Sequence, residues 1–215
     1  MKTAPLIALG AIAIASHAGA TTTINNDAAT FDAAAGGLVL ETFDAATPVV
    51  LNGNTPTTAG TVTVEHVGSD GNSFIDDGTG ANNIDGTQFL DIFVGPEFVP
   101  IFPRESFDIT LPYAVTAVGF DLADFFSTGT SFGSDISLDG VVITDTVAQG
   151  LAATNGAAAG FLGFVSDTPF TTLTFSSDDG FGEAFGIDNL QYSIPAPGTL
   201  AVVGAAGLVG VRRRR

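Results

Sequence analysis

Cysteine and tryptophan are absent from this 215-residue chain, and positive charge is scarce. Without cysteine there is no disulfide framework and no thiolate chemistry, so stability must come from packing, aided at most by a metal. Without tryptophan the chain lacks the usual platform for stacking a sugar ring. Six Lys and Arg stand against 23 Asp and Glu, a formal net charge of −17. The cations are also confined to the ends. Lys2 lies near the start, Arg212, Arg213, Arg214 and Arg215 close the chain, and Arg104 is the one basic residue between them. Every acid lies between Asp27 and Asp188, so residues 21–194 carry one cation against 23 acids, a net −22. Such a surface has nothing to neutralise phosphates and excludes nucleic acid and anionic lipid headgroups as partners. It attracts divalent cations and suits a salty exterior, although solubility alone also accounts for it.

What is abundant points to strands. Gly reaches 27, Phe supplies 18 of the 20 aromatic residues, and only 13% of the chain is charged. Residues 61–67 (Thr-Val-Thr-Val-Glu-His-Val) and 107–111 (Phe-Asp-Ile-Thr-Leu) alternate apolar and polar with period 2. Further strand candidates cover 38–43, 88–94, 115–122, 141–144, 160–165, 170–175 and 184–192. Turn clusters separate them: Asn52-Gly53, Ser69-Asp70-Gly71, Asp77 to Gly80, Asp139-Gly140 and Asp178 to Gly180. Asp139-Gly140 between Ile136-Ser137-Leu138 and Val141-Val142-Ile143 is the clearest hairpin. Only 27–35 and 149–159 read as helical or loose. Short strands with regular turns predict one all-β domain, an antiparallel sandwich of jelly-roll type, over 21–194.

The two ends read as processing segments. Lys2 begins a positive n-region, 6–15 is an apolar run of about ten residues, and Ala18 and Ala20 form the small-residue pattern of a signal-peptide cleavage site. The run is too short for a permanent span, which needs roughly 20 residues. Cleavage after Ala20 starts the mature chain at Thr21. At the other end Pro195, Ala196 and Pro197 make a stiff spacer. An apolar stretch over 198–211 follows, about 21 Å long as a helix. Arg212 to Arg215 then hold that end in the cytoplasm and lengthen a marginal span by snorkelling. Spacer, short apolar helix and basic stop have the logic of a sorting signal removed after export.

This tail resembles the C-terminal sorting signal of PEP-CTERM proteins, whose pattern is Pro-Glu-Pro, an apolar helix and an arginine cluster. The chain departs from it at Ala196, where the family has Glu. The resemblance covers about 20 residues and implies an exosortase-like membrane protease as partner. It also implies a Gram-negative exopolysaccharide producer, a transient inner-membrane anchor, and final placement at the cell surface or outside. Residues 160–170 and 185–190 are similar to the body of PEP-CTERM sandwich domains. They also resemble the closing strand of jelly-roll carbohydrate-binding modules, where an Asp of the last strand and acids near the first can hold a structural calcium. The matching positions are Asp188 with Glu41 or Asp44. A cap or turn is the competing reading of Asp188.

Catalytic patterns fail in their context. Gly129-Thr130-Ser131-Phe132-Gly133 matches G-x-S-x-G, but a strand and turn follow it where the hydrolase elbow needs a helix and a downstream His. His66, the one histidine of the mature chain, lies upstream on the Val62/Val64 face and reads as packed or hydrogen-bonded. Zinc ligands and nucleotide-binding loops are lacking. A pair among the 23 acids would satisfy glycosidase chemistry, yet no pair stands out. The leading expectation is an exported, non-enzymatic surface or matrix-associated protein. A calcium-assisted carbohydrate-binding module taking extracellular polysaccharide is the alternative, and a secreted hydrolase is third.

Overall fold

The computed structural model describes residues 21–51, 53–68, 73–79, 82–94, 105–125, 134–143, 153–154, 157–177 and 183–195. It is antiparallel throughout its pairings, as expected for an all-β sandwich. In chain order the elements are β1 (Thr22–Asn25), α1 (Ala28–Ala35), β2 (Leu38–Glu41), β3 (Val49–Leu51), β4 (Thr57–Ala59), β5 (Val62–Val67) and β6 (Ser73–Asp76). Then follow β7 (Phe89–Val94), β8 (Ser106–Phe125), β9 (Ser134–Leu138), β10 (Val141–Val142), β11 (Ala153–Thr154), β12 (Ala157–Ser177) and β13 (Glu183–Ser193).

Two long strands tie the layers together. The first part of β8 pairs with β5 and with the second part of β12, which continues to β9 and β10. The second part of β8 pairs with the first part of β12 and with β13, which leads on to β7, β6 and β3. The strand candidates at 107–111 and 115–122, and at 160–165 and 170–175, are two halves of each long strand. The division marks a real change of register: between Val165 and Phe170 the β8–β12 pairing shifts, with Val165 opposite Ala117 and Phe170 opposite Val115. Pro112 and Pro169 sit in these irregular stretches, where a residue with no N–H is tolerated. The strands bend there instead of ending.

The core follows the alternation. Val62, Val64 and His66 of β5 point inward and the residues between them are half-buried. Phe107, Phe120, Phe164, Phe175 and Phe185 are fully buried, and the rings of the last four meet edge-on or tilted, as with Phe175 and Phe185 at 5.2 Å. α1 covers one outer face. Asp27 caps it by accepting from Thr30 N at 2.8 Å, and Phe31 lies over Gly119 and Gly163, which are cross-strand partners. A Cβ on Gly163 would come within 2.5 Å of the Phe31 ring, so this pair is glycine because an aromatic ring rests on it. The Asp139-Gly140 hairpin forms as expected, with both residues at positive φ (46° and 79°). The 27–35 segment resolves as α1, whereas the 149–159 segment contributes β11 and the start of β12.

Candidate functional site

Two acids singled out from the sequence lie where β2 and β13 meet, and their surroundings differ. Glu41 closes β2 opposite Leu190. Its Oε1 accepts from Phe43 N at 3.0 Å, and its Oε2 accepts from Thr61 N at 2.6 Å and Thr61 Oγ1 at 2.8 Å. The Tyr192 hydroxyl, 2.8 Å from Thr61 Oγ1, is then the donor to that oxygen. Gly60, at φ 59°, passes directly over the carboxylate, leaving no room for a side chain. These bonds hold the turn after β2, in which Phe43 takes φ 60° and buries its ring completely. A left-handed phenylalanine costs about 1–3 kcal/mol, a strain that burying the ring offsets. Glu41 is a turn clamp whose lone pairs are engaged by N–H and O–H donors.

Asp188 sits at a bulge in β13, where pairing with β8 jumps from Asp188↔Asp121 to Gln191↔Gly119. Asn189 within the bulge adopts φ 51°, a conformation Asn tolerates, and its amide donates to Asp121 Oδ2 at 3.0 Å. Asp188 is only 1% exposed. Its Oδ1 accepts from Asn189 N at 2.6 Å, while Oδ2 has no hydrogen-bond partner among the described residues. Burial pushes the carboxyl up to about 7; the Asn189 N–H works against this, and the charges of Asp85, Asp44 and Asp121 add to it. Asp44 and Asp85 are exposed. Asp85 is itself engaged by Thr87, whose hydroxyl donates at 2.6 Å and, with the Thr87 N–H, holds that carboxyl below its ordinary range.

A calcium ion at Asp188 fits the residues in part. Asp188 offers a buried oxygen with free lone pairs, and Asp44 lies within its electrostatic reach. Glu41 does not fit, because both its oxygens accept from donors. Among the described residues no three acids or histidines converge on one point, so backbone oxygens would have to complete a shell. Asp85 and Asp121 are the neighbours that the sequence analysis missed. Asp121 was legible only through the register of β8 against β13, and Asp85 only through the packing of its turn.

The remaining candidates separate cleanly. His66 is buried, with Nδ1 3.0 Å from Ser73 Oγ and Nε2 3.9 Å from Glu105 Oε2. Ser73 Oγ also accepts from Phe93 N at 3.0 Å and lies 3.3 Å from Phe93 O, so its hydroxyl is engaged inside the core and staples β5 to β6 and β7. Pro195 lies one residue beyond β13, after Ile194. Ala18, Ala20, Ala196, Pro197, Arg212, Arg213, Arg214, Arg215 and the 129–133 motif lie outside the described residues. No described helix is long and apolar enough to cross a membrane. A cleft of about 90 Å³ beside Leu138, Val141, Pro169 and Phe170 is far below the roughly 300–1,000 Å³ of small-molecule sites. The exposed large hydrophobic residues among those described are aliphatic, such as Leu40 and Val141; Phe74, Phe93 and Tyr113 are half-buried.

No family model and no curated protein matches the sequence. Among solved structures, two mutants of the family 29 carbohydrate-binding module CBM29-2, studied for ligand recognition, are matched at 14% and 12% identity. The matches cover 69% and 68% of this chain and 92% and 84% of those chains. Both superpose at a TM-score of 0.32, too low to establish a common fold.

Proposed function

We propose that the chain is an exported, non-enzymatic β-sandwich of the cell surface or extracellular matrix, sorted through its tail by an exosortase-like membrane protease. The inward packing of its aromatics supports this reading most directly. Sugar-binding faces present exposed rings, and among the residues whose burial is described none is exposed. Charge placement supports it too, because a domain of net −22 between a basic start and a basic end is arranged for translocation with the C-terminus held back. Every described strand falls within 21–194. Fractionation and intact mass of the protein in its host test the reading. Replacing Arg212, Arg213, Arg214 and Arg215 with Gln should convert a membrane-held intermediate into a freely secreted, unprocessed chain. Deleting 195–197 should leave the anchor and block release. If both variants match wild type in location and C-terminal mass, the sorting reading fails.

The second reading, calcium-assisted carbohydrate binding, draws on Asp188. Its role there would be to staple β13 at its bulge to the turn after β2 through Asp44, without chemistry of its own. A glycan array probed with and without calcium distinguishes the two. Calcium-dependent retention on polysaccharide favours the second reading, and blank arrays with a calcium-dependent melting temperature leave the ion a purely structural part.

A further inference from the structure

Thr21 is both the first residue engaged by the sheet among those described and the residue at which cleavage after Ala20 starts the mature chain. Its carbonyl accepts from Asp167 N at 3.2 Å, and its own N–H donates to Asp167 Oδ1 at 3.0 Å. The strand ladder proper begins one residue later, at Thr22↔Ser166. The Asp167 side chain thus occupies the place of the next backbone acceptor, just where β12 turns toward Pro169. Thr168 fixes that carboxylate by donating from its hydroxyl to the same Oδ1 at 3.1 Å, while Thr168 N donates to the buried Ser166 Oγ at 3.1 Å.

Cleavage changes the chemistry of this contact. Hydrolysis breaks the Ala20–Thr21 amide: water leaves its hydroxyl on the Ala20 carbonyl, and the released Thr21 amine takes up a proton. A neutral donor facing an anion becomes a cation with three donors, which forms the stronger, charge-assisted bond. The setting favours it. Lys2 is the only lysine and departs with the leader, so the new ammonium and Arg104 are the only cations of residues 21–194, among 23 acids. We propose that Asp167 is a built-in counter-ion for the α-ammonium of the mature chain, so that removal of the leader locks β1 onto the bend of β12. This rests on the leader reading given above.

The absence of any other primary amine makes the test direct, because an amine-directed reagent labels the mature chain at Thr21 alone. A chain starting at Thr21 is obtained in the cytosol by removal of an initiator Met, without use of the leader, and a companion chain starts at Ala20. Reaction rate against pH gives the titration midpoint of each amine. At low salt the Thr21 amine should titrate roughly half a pH unit or more above the Ala20 amine. Asp167→Asn should abolish the difference, and high salt should narrow it. The Ala20 chain keeps Asp167 intact, so the comparison holds even where the Asn variant folds poorly. Equal midpoints in the Thr21 and Ala20 chains would overturn the pairing. An exported protein that begins at another residue would overturn the assignment through the leader instead, and the titration of the Thr21 chain tells the two failures apart.

Discussion

Glu41 and Asp188 are buried carboxylates on paired strands, two residues out of register, and the fold treats them in opposite ways. Glu41 accepts three hydrogen bonds from Phe43 and Thr61. Asp188 accepts one, from its own neighbour, and faces further acids. A buried anion with donors on both oxygens holds a turn together, whereas one with an empty oxygen and negative neighbours must take up a proton or a cation. Because no lysine and only one arginine lie in 21–194, the chain offers Asp188 little prospect of an internal partner. Burial alone therefore does not mark a functional acid. The informative quantity is how many of its lone pairs the protein itself satisfies.

Four measurements sharpen or break this contrast. Glu41→Ala should be the most damaging, lowering stability by about 3 kcal/mol in denaturant unfolding, because it strands the Phe43 and Thr61 N–H groups and releases the strained Phe43 turn. A loss below about 1 kcal/mol would show that the turn does not depend on the clamp. Calcium comes next. At 100 times its dissociation constant it should stabilise wild type by about 2.7 kcal/mol and leave Asp188→Asn nearly unaffected. Identical melting temperatures of wild type in calcium and in chelator would remove the ion from Asp188.

The third is the pH dependence in chelator. Unfolded, Asp188 releases its proton near the ordinary carboxylate value; folded, it holds the proton up to about 7. Between those values the folded state binds the extra proton, so stability falls as pH rises toward 7 and levels off above it. Asp91, raised by burial against the Asn82 bond and with Asp76 adding to it, acts in the same direction. Asp188→Asn should flatten most of the slope between about pH 4 and 7. A wild-type profile already flat there would contradict the uncompensated carboxyl. The smallest effect is expected from Asn189→Ala, about 1 kcal/mol, from the left-handed backbone and the lost bond to Asp121. Asn189→Gly should recover the backbone part of that loss in the same unfolding assay, which separates conformation from hydrogen bonding.

Much of the architecture was legible in one dimension. Period-2 alternation at 61–67 marked β5 and its buried face, His66 included, because one sheet face is buried and a one-residue slip would expose it. Asp139-Gly140 fixed its hairpin because that turn needs positive φ at both residues. β1, β3, β4 and β6 are not among the strand candidates: they span three or four residues each, too short for alternation to register.

Charge segregation, the lack of cysteine and the patterning of the two ends were determined by sequence alone, since composition and order are the whole of those properties. Tertiary structure decided the rest. Strand candidates that stood apart across 112–114 and 166–169 proved to be parts of the continuous strands β8 and β12, because an irregular stretch of pairing tolerates Pro112 and Pro169. It also decided which of the acids matter. Glu41 and Asp188 carry the same functional group, and only the tertiary arrangement gave one of them donors on both oxygens and left the other with a single donor, on Oδ1. Hydrogen bonding and burial depend on distances between residues far apart in the chain, and those distances exist only once the strands have paired.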